Sequence, residues 1–258
     1  MPQLIAFAYA LPRMLAMFSV LPMFHRQALP GLLRMGVAGA LGLMLVPQLL
    51  EPAALDRGLF EILAVVIKEG LIGFAVGMLF ALPLWAFEAM GAIIDNQRGA
   101  SIAETINPLT GHDTSPLGEL LSQAFVVYII VTGGFALMLA AMYDSFLLWP
   151  VFEFWPRLSD TTPAFLLGQF DRMVRIAVLF GSPVIIAMFL SELGLALVSR
   201  FAPQLQVFFL AMPIKSGIAM FMLAIYAKLI FHYSDPLWDD IGNETLRALS
   251  SIFRAGGR

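Results

Sequence analysis

The chain has 258 residues, 60% of them hydrophobic and 13% charged, with a mean hydropathy of +0.85 and a net charge of −3. Soluble domains run near about 45–50% apolar and about 25% charged, so this is the composition of an integral membrane or membrane-complex protein. No cysteine is present, which excludes disulfides, thiolate metal sites and a cysteine nucleophile, and the charge balance gives nucleic acid no basic footprint.

The chain opens on MPQLIAFAYALPRML, with no basic residue ahead of its apolar stretch. A retained first helix is expected there rather than a secretory signal. In chain order, helices are predicted near 3–24, 31–50, 58–93, 116–147, 163–200 and 204–232, with a short one near 243–254. A single span needs about 20 mostly apolar residues. Between charges, only Gly70–Phe87 (18 residues) and Leu120–Tyr143 (24 residues) approach or exceed that length, while Met35–Leu50 and Ile176–Ser191 have 16 each. Arg13, Lys68, Glu69, Glu88, Arg175, Glu192, Lys215 and Lys228 break the apolar runs. Prolines interrupt them at Pro12, Pro22, Pro83, Pro183 and Pro213, where a helix loses a hydrogen bond and is expected to kink or break. Two readings follow. Either the charges snorkel from the ends of ordinary kinked spans, or many segments face protein or water instead of lipid.

Helix-end signals are readable. Ser115-Pro116 places a capping hydroxyl before a proline at the first helical position, with Glu119 in the first turn. Thr162-Pro163 repeats this start, and Asp235-Pro236 predicts another. Pro203 divides two long helical patterns. GLLRMGVAGALGLM (31–44) and GLIGFAVG (70–77, with Gly73-x-x-x-Gly77) carry small residues at spacings that let helix backbones approach closely. No linker, low-complexity tract or short repeat divides the chain, so one domain over 1–258 is expected.

Catalytic constellations do not emerge. His25, His112 and His232 have no ligand spacing. Ser182 has no histidine in a nearby helical segment, and Ser216 beside Lys215 faces a different direction on a helix. There is no H-E-x-x-H and no phosphate-binding glycine loop. Asp239-Asp240 reads as a solvated helix start. A scaffold, a channel or a transporter is expected, with no enzyme activity and no cofactor or metal.

One polar stretch stands between two of the most apolar blocks: DNQRGASIAETINPLTGHDTSPLGE, residues 95–119. Loops beyond about 12–15 residues are usually functional or disordered. DNQRGASIAETINPLTGHDTSPLGELL (95–121) resembles the signature of the T component of the type III secretion export apparatus. That family includes the injectisome proteins YscT, HrcT and SpaR and the flagellar protein FliR, and the Asn-Gln-Arg-Gly start, Asn107-Pro108 and Thr114-Ser115-Pro116-Leu117-Gly118 resemble the injectisome branch. RFAPQLQVFFLAMPIKSG (200–217) resembles the family's second block, although the resemblance implies asparagine where this chain has Gln206. Arg13 with Pro22, Pro30 and Arg34, and Ser145 with Pro150, are weaker cues. The resemblance covers essentially the whole chain.

It implies an all-α fold of membrane-type helical hairpins, joining R-like and S-like portions. One T-type subunit would join several R and S components in a helical export gate, held in the basal body at the bacterial inner membrane within its rings. It would contact the U and V components and pass unfolded secreted proteins. Arg13, Lys68, Glu69, Glu88, Arg175, Glu192 and Lys215 would then be buried or interface charges. The loop would help plug the pore. Gly99, Ser101 and Gly111 are small enough for tight packing, and Ile102, Ile106 and Leu109 are apolar enough to fill a constriction. Asn107-Pro108 restricts a turn, and Asp95 and Arg98 are placed to anchor the loop's base. The tail 233–258 is expected toward the cytoplasm. The runner-up is a multi-span secondary transporter or small-molecule channel, for which internal repeats would be expected. A purely structural membrane scaffold is a third class.

Overall fold

The computed structural model describes residues 2–24, 30–49, 58–99, 115–153, 162–202 and 207–254. Among these the regular structure is all helical. The helices are α1 (Pro2–Val20), α2 (Gly31–Leu43), α3 (Leu59–Arg98), α4 (Pro116–Thr132), α5 (Gly134–Leu148), α6 (Thr162–Phe201) and α7 (Val207–Arg254), with short 3-10 turns at Pro22–Phe24 and Val46–Gln48. The chain forms two compact units that interleave in sequence. One comprises Met1–Leu82, Ile129–Gln169 and Trp238–Arg258, and the other Pro83–Tyr128 and Phe170–Leu237.

In the first unit α1 buries Ala6, Tyr9, Ala10, Arg13, Met14, Met17 and Phe18, a stripe at three- and four-residue spacing that fits one helical face. α3 answers with Val65, Lys68, Glu69, Ile72, Val76 and Phe80. Two glycines set how closely the helices meet. A Cβ on Gly73 would collide with the Arg13 backbone, and one on Gly77 would lie 2.8 Å from the Met17 carbonyl oxygen. The Gly-x-x-x-Gly spacing of 73 and 77 therefore matches residues 13 and 17 on α1, one turn apart on each helix. From α5 the unit receives Met138, Ala141, Met142, Ser145 and Phe146.

The second unit is centred on aromatic rings. Phe87 of α3 stacks on Phe125 of α4 with centroids 3.9 Å apart and planes 6° from parallel. Its ring also meets Phe180 of α6 edge-on and Phe231 of α7 in an offset stack. Offset and edge-to-face pairs of this kind add to area burial alone. The backbones of α3 and α4 touch at Gly91 and Gly118, and a Cβ on Gly118 would stand 2.8 Å from the Glu88 carbonyl oxygen.

Four described helices are long and apolar enough to cross a membrane: Gln3–Val20, Phe60–Arg98, Ala164–Phe201 and Leu210–Ser234. At about 1.5 Å per residue the 40 residues of α3 and of α6 and the 48 of α7 have contour lengths of roughly 60 to 70 Å, about twice a hydrocarbon core. Their surfaces stay apolar. Phe60, Phe74, Phe189, Leu197, Phe201 and Phe221 are all exposed on the isolated chain, an arrangement that requires lipid or partner chains to cover it.

Three sequence expectations are corrected. The helix predicted over 116–147 is two helices meeting at 79°. Gly133 lies between them with φ +86°, a left-handed conformation that glycine adopts without steric cost. Just beyond it, Gly134 packs directly against the Trp238 indole, leaving no room for a side chain. The start predicted at Asp235-Pro236, and with it a separate helix near 243–254 and a helix start at Asp239-Asp240, does not occur, because α7 runs unbroken to Arg254. At Pro12, Pro83 and Pro183 the break that was one of the two expected outcomes does not occur, since each sits inside a continuous helix. One forfeited bond per proline is absorbed where the rest of a long helix is held by its own ladder and packing.

Replacing Gly77 by leucine is expected to force α1 and α3 apart. The cost is that of overpacking, about 1–3 kcal/mol, read as a lower midpoint of thermal unfolding in detergent, while Gly70→Leu, where a Cβ meets nothing within 4 Å, should leave it close to wild type.

Candidate functional site

Two polar centres stand out against the apolar background, one in each unit. In the first unit the Arg13 guanidinium grips Glu69 side-on. Its Nε donates to Oε2 at 2.7 Å and its Nη2 to Oε1 at 3.0 Å. Nη1 donates to Ser145 Oγ at 3.2 Å and Nη2 also to the Trp149 carbonyl at 3.0 Å. The guanidinium lies 4.0 Å from the centroid of the Phe146 ring. Lys68 pairs with the same carboxylate, Nζ to Oε1 at 2.9 Å, and donates to the carbonyls of Pro150, Val151 and Glu153 at 3.2, 2.6 and 3.0 Å. All three charged residues are buried.

Within ion-pair distance the cluster holds two cations and one anion, and the Glu153 carboxylate adds a longer-range attraction on Lys68. Carbonyl oxygens just past the end of α5 meet the Lys68 ammonium. The C-terminal end of a helix carries partial negative charge and unpaired carbonyls, which explains why a lysine settles against the turn at 149–153. Arg13, Ser145 and Pro150, separate weak cues in the sequence, belong to this one arrangement. The carbonyls that hold Lys68 have no signature in side-chain identity, and Tyr143, whose hydroxyl donates to the Leu41 carbonyl at 3.1 Å, was not singled out either.

The second centre is the base of the 95–119 loop. Asp95 lies in the last turns of α3 and is buried. Its Oδ1 stands 2.8 Å from Arg98 Nε. Its Oδ2 accepts from the Ser115 hydroxyl at 2.5 Å and from the Leu117 amide at 3.0 Å, while Ser115 Oγ accepts from the Gly118 amide at 2.9 Å. The first turn of α4 is thereby fully satisfied. Pro116 has no amide hydrogen, the Leu117 amide goes to Asp95, the Gly118 amide to the Ser115 cap, and the Glu119 amide to the Ser115 carbonyl at 2.9 Å. On the entry side α3 stops at Gly99, φ +84°, whose amide donates to the Asn96 carbonyl at 3.1 Å. A left-handed glycine is a common helix terminator.

The loop residues Ser101, Ile102, Ile106, Asn107, Pro108, Leu109 and Gly111 lie outside the described residues, as does Gln206. Of the charges singled out in sequence, Arg13, Lys68 and Glu69 converge. Lys215 of α7 pairs with Glu192 of α6 at 2.6 Å. Arg175 is exposed and stands 3.5 Å from Asp171 one turn away, and Glu88 is exposed on α3.

A family model for bacterial export proteins, family 1, matches residues 4–241. The chain is 41% identical over 236 residues to the Yop proteins translocation protein T of Yersinia pestis, covering 91% of this chain and 90% of that protein. It is 32% identical over 254 residues to the surface presentation of antigens protein SpaR of Salmonella typhimurium, covering 97% and 92%. To the flagellar biosynthetic protein FliR of Bacillus subtilis it is 29% identical over 227 residues, covering 88% and 87%.

Substitutions at Glu69 and Ser115 probe these centres. Glu69→Gln strands two buried cations without their counter-charge, and breaking a buried pair costs about 3–5 kcal/mol; thermal unfolding in detergent should show a large loss, with Glu69→Asp milder. Ser115→Ala removes a helix cap worth about 1 kcal/mol and a partner of Asp95. Faster amide exchange over 117–119 with intact global unfolding is the expected result.

Proposed function

The chain belongs to family 1 of the bacterial export proteins, and from that premise we propose that it is the T-type core subunit of a type III secretion export gate of the injectisome branch. One copy joins R- and S-type components in a hetero-oligomer at the bacterial inner membrane, within the basal body. The U and V components adjoin it, and unfolded secreted proteins pass through the entrance channel that it helps to form. The whole chain acts as one structural subunit without catalytic chemistry. Loop 95–119 helps to close the pore.

The observation that carries the closing role is the treatment of the loop's ends. Entry and exit are fastened by one buried carboxylate, Asp95, which forms an ion pair with Arg98 on α3 and accepts hydrogen bonds from the cap of α4. The carboxylate that completes the start of α4 also pairs with the end of α3, so the loop's two ends are held together. A closure that substrate displaces needs a fixed base and a yielding middle, since elements that move come from the low-stability end of a structure. The exposed apolar faces and the helices longer than a bilayer is thick support the assembly reading, because subunit neighbours can cover what lipid does not reach. The charges within those helices need not meet lipid.

Shortening 100–112, or exchanging Ile106 or Gly111, is expected to make the closed assembly leaky to small ions while leaving assembly intact. Conductance of the purified complex in a planar bilayer is the measurement, and wild-type conductance in all three variants would refute the closing role. Copurification as a single subunit with R- and S-type partners separates the gate from a transporter, which would run as a particle of its own with substrate-dependent stability.

A further inference from the structure

The far end of the α6–α7 hairpin buries nothing on its own. From Phe189 to Ala202 and from Leu210 to Ile218 no described residue is buried, and Phe189, Leu190, Leu193, Leu197, Val198 and Phe201 are exposed. A helix that is apolar on every side belongs in lipid or inside a larger assembly. One ion pair within this stretch decides between them. Lys215 of α7 extends its ammonium to Glu192 Oε2 of α6 at 2.6 Å and to the Gln97 carbonyl of α3 at 3.4 Å, where the end of α3 carries partial negative charge. Its side chain is 12% exposed, against 48% for Glu192. The ammonium is turned inward and the carboxylate outward, and among the described residues that carboxylate has no second donor.

Lipid is a poor cover for such a group. Glu192 lies nine residues before the end of α6 and Lys215 eight after the start of α7, about 12–14 Å along each helix. A hairpin whose tip reached one face of a bilayer would hold the pair near the middle of a hydrocarbon core about 30 Å thick. A carboxylate half open to acyl chains there is costly, and charges in such segments face protein or water. Water in turn suits neither Phe189 nor Ala196, which are exposed one turn to either side of Glu192 on the same face. We infer that this outer face of the hairpin is a subunit interface, and that its occupant is an apolar helix of another subunit carrying one side-chain hydrogen-bond donor level with Glu192. The carboxylate has lone pairs left to accept from it. Gly194 and Ala196, exposed beside it, let a helix backbone approach closely. This rests on the assembly reading of the proposed function.

The test uses the purified export complex in phospholipid vesicles, with a photo-reactive phenylalanine analogue at Ala196. Irradiation should join this chain to another subunit of the complex, identified by mass spectrometry of the product. Products with lipid alone, or none, overturn the inference. The donor is read separately. Glu192→Leu combined with Lys215→Met removes both partners of the pair within the chain. It should lower retention of partner subunits about tenfold, the scale of one hydrogen bond to a charged group, while thermal unfolding of the chain alone in detergent stays close to wild type. Retention equal to wild type or tighter, the outcome for a carboxylate that faced lipid, overturns the inference. Should the double variant unfold more readily by itself, Glu192→Gln decides: weaker retention is expected, and wild-type retention overturns the inference. A wild-type chain that enters no complex overturns the assembly reading, and this inference with it. A complex that forms without the crosslink leaves that reading standing.

Discussion

The grip of Arg13 on Glu69 is the contact on which the first unit depends. Taking a carboxylate and a guanidinium out of water is costly, and the attraction between them repays that only when the geometry is good and the remaining donors are satisfied. Here the geometry is side-on and bidentate, and the other guanidinium donors find Ser145 and the Trp149 carbonyl. An apolar core of the same volume could be as stable. What the ions add is register. Glu69, Gly73 and Gly77 lie one turn apart on one face of α3, and they meet Arg13 and Met17 on α1. A slip by one turn would separate the charges and drive side chains into backbone at the same time, so the two constraints reinforce each other.

Lys68 extends that logic to a third helix. With two cations sharing one carboxylate at close range, the carbonyls past the end of α5 help to meet the surplus charge. The same electrostatic rule recurs in the second unit with both signs in use: an ammonium at the end of α3 and a carboxylate at the start of α4. In an apolar molecule with few charges, helix poles are where those charges become useful, because there they complete hydrogen bonding that the helix itself cannot.

The sequence made the long apolar helices legible, along with the Ser115-Pro116 cap and the close approach at Gly73 and Gly77. These depend on local chemistry or on fixed spacing along one helix. The break at Gly133 was not legible. A Gly-Gly pair inside a 24-residue apolar run reads as ordinary small residues in a membrane helix, and its left-handed turn is tied to an indole more than 100 positions away. The continuity of α7 through Pro236 was hidden for the opposite reason, since a local signal for a start was outweighed by the helix on either side. The charges show the same divide. That Arg13 and Glu69 interrupt apolar runs is visible in sequence, yet the same is true of Glu88 and Arg175, which end up exposed. Which way a charged residue faces depends on the register between helices, and composition carries no record of that. At the loop, Asp95 and Arg98 were legible as anchors by position, whereas Lys215 enters from 118 residues away through a backbone carbonyl.

The turn at Gly133 also bears on where the chain ends. Four helices qualify as membrane crossings, and the bent pair Pro116–Thr132 and Gly134–Leu148 makes a fifth if it counts as one. An even number of crossings returns a chain to the face from which it began, and an odd number leaves it on the opposite face. A hydropathy profile scores the run as a span and so favours the odd count. Among the described residues, the bend at Gly133 is the feature on which the two counts differ.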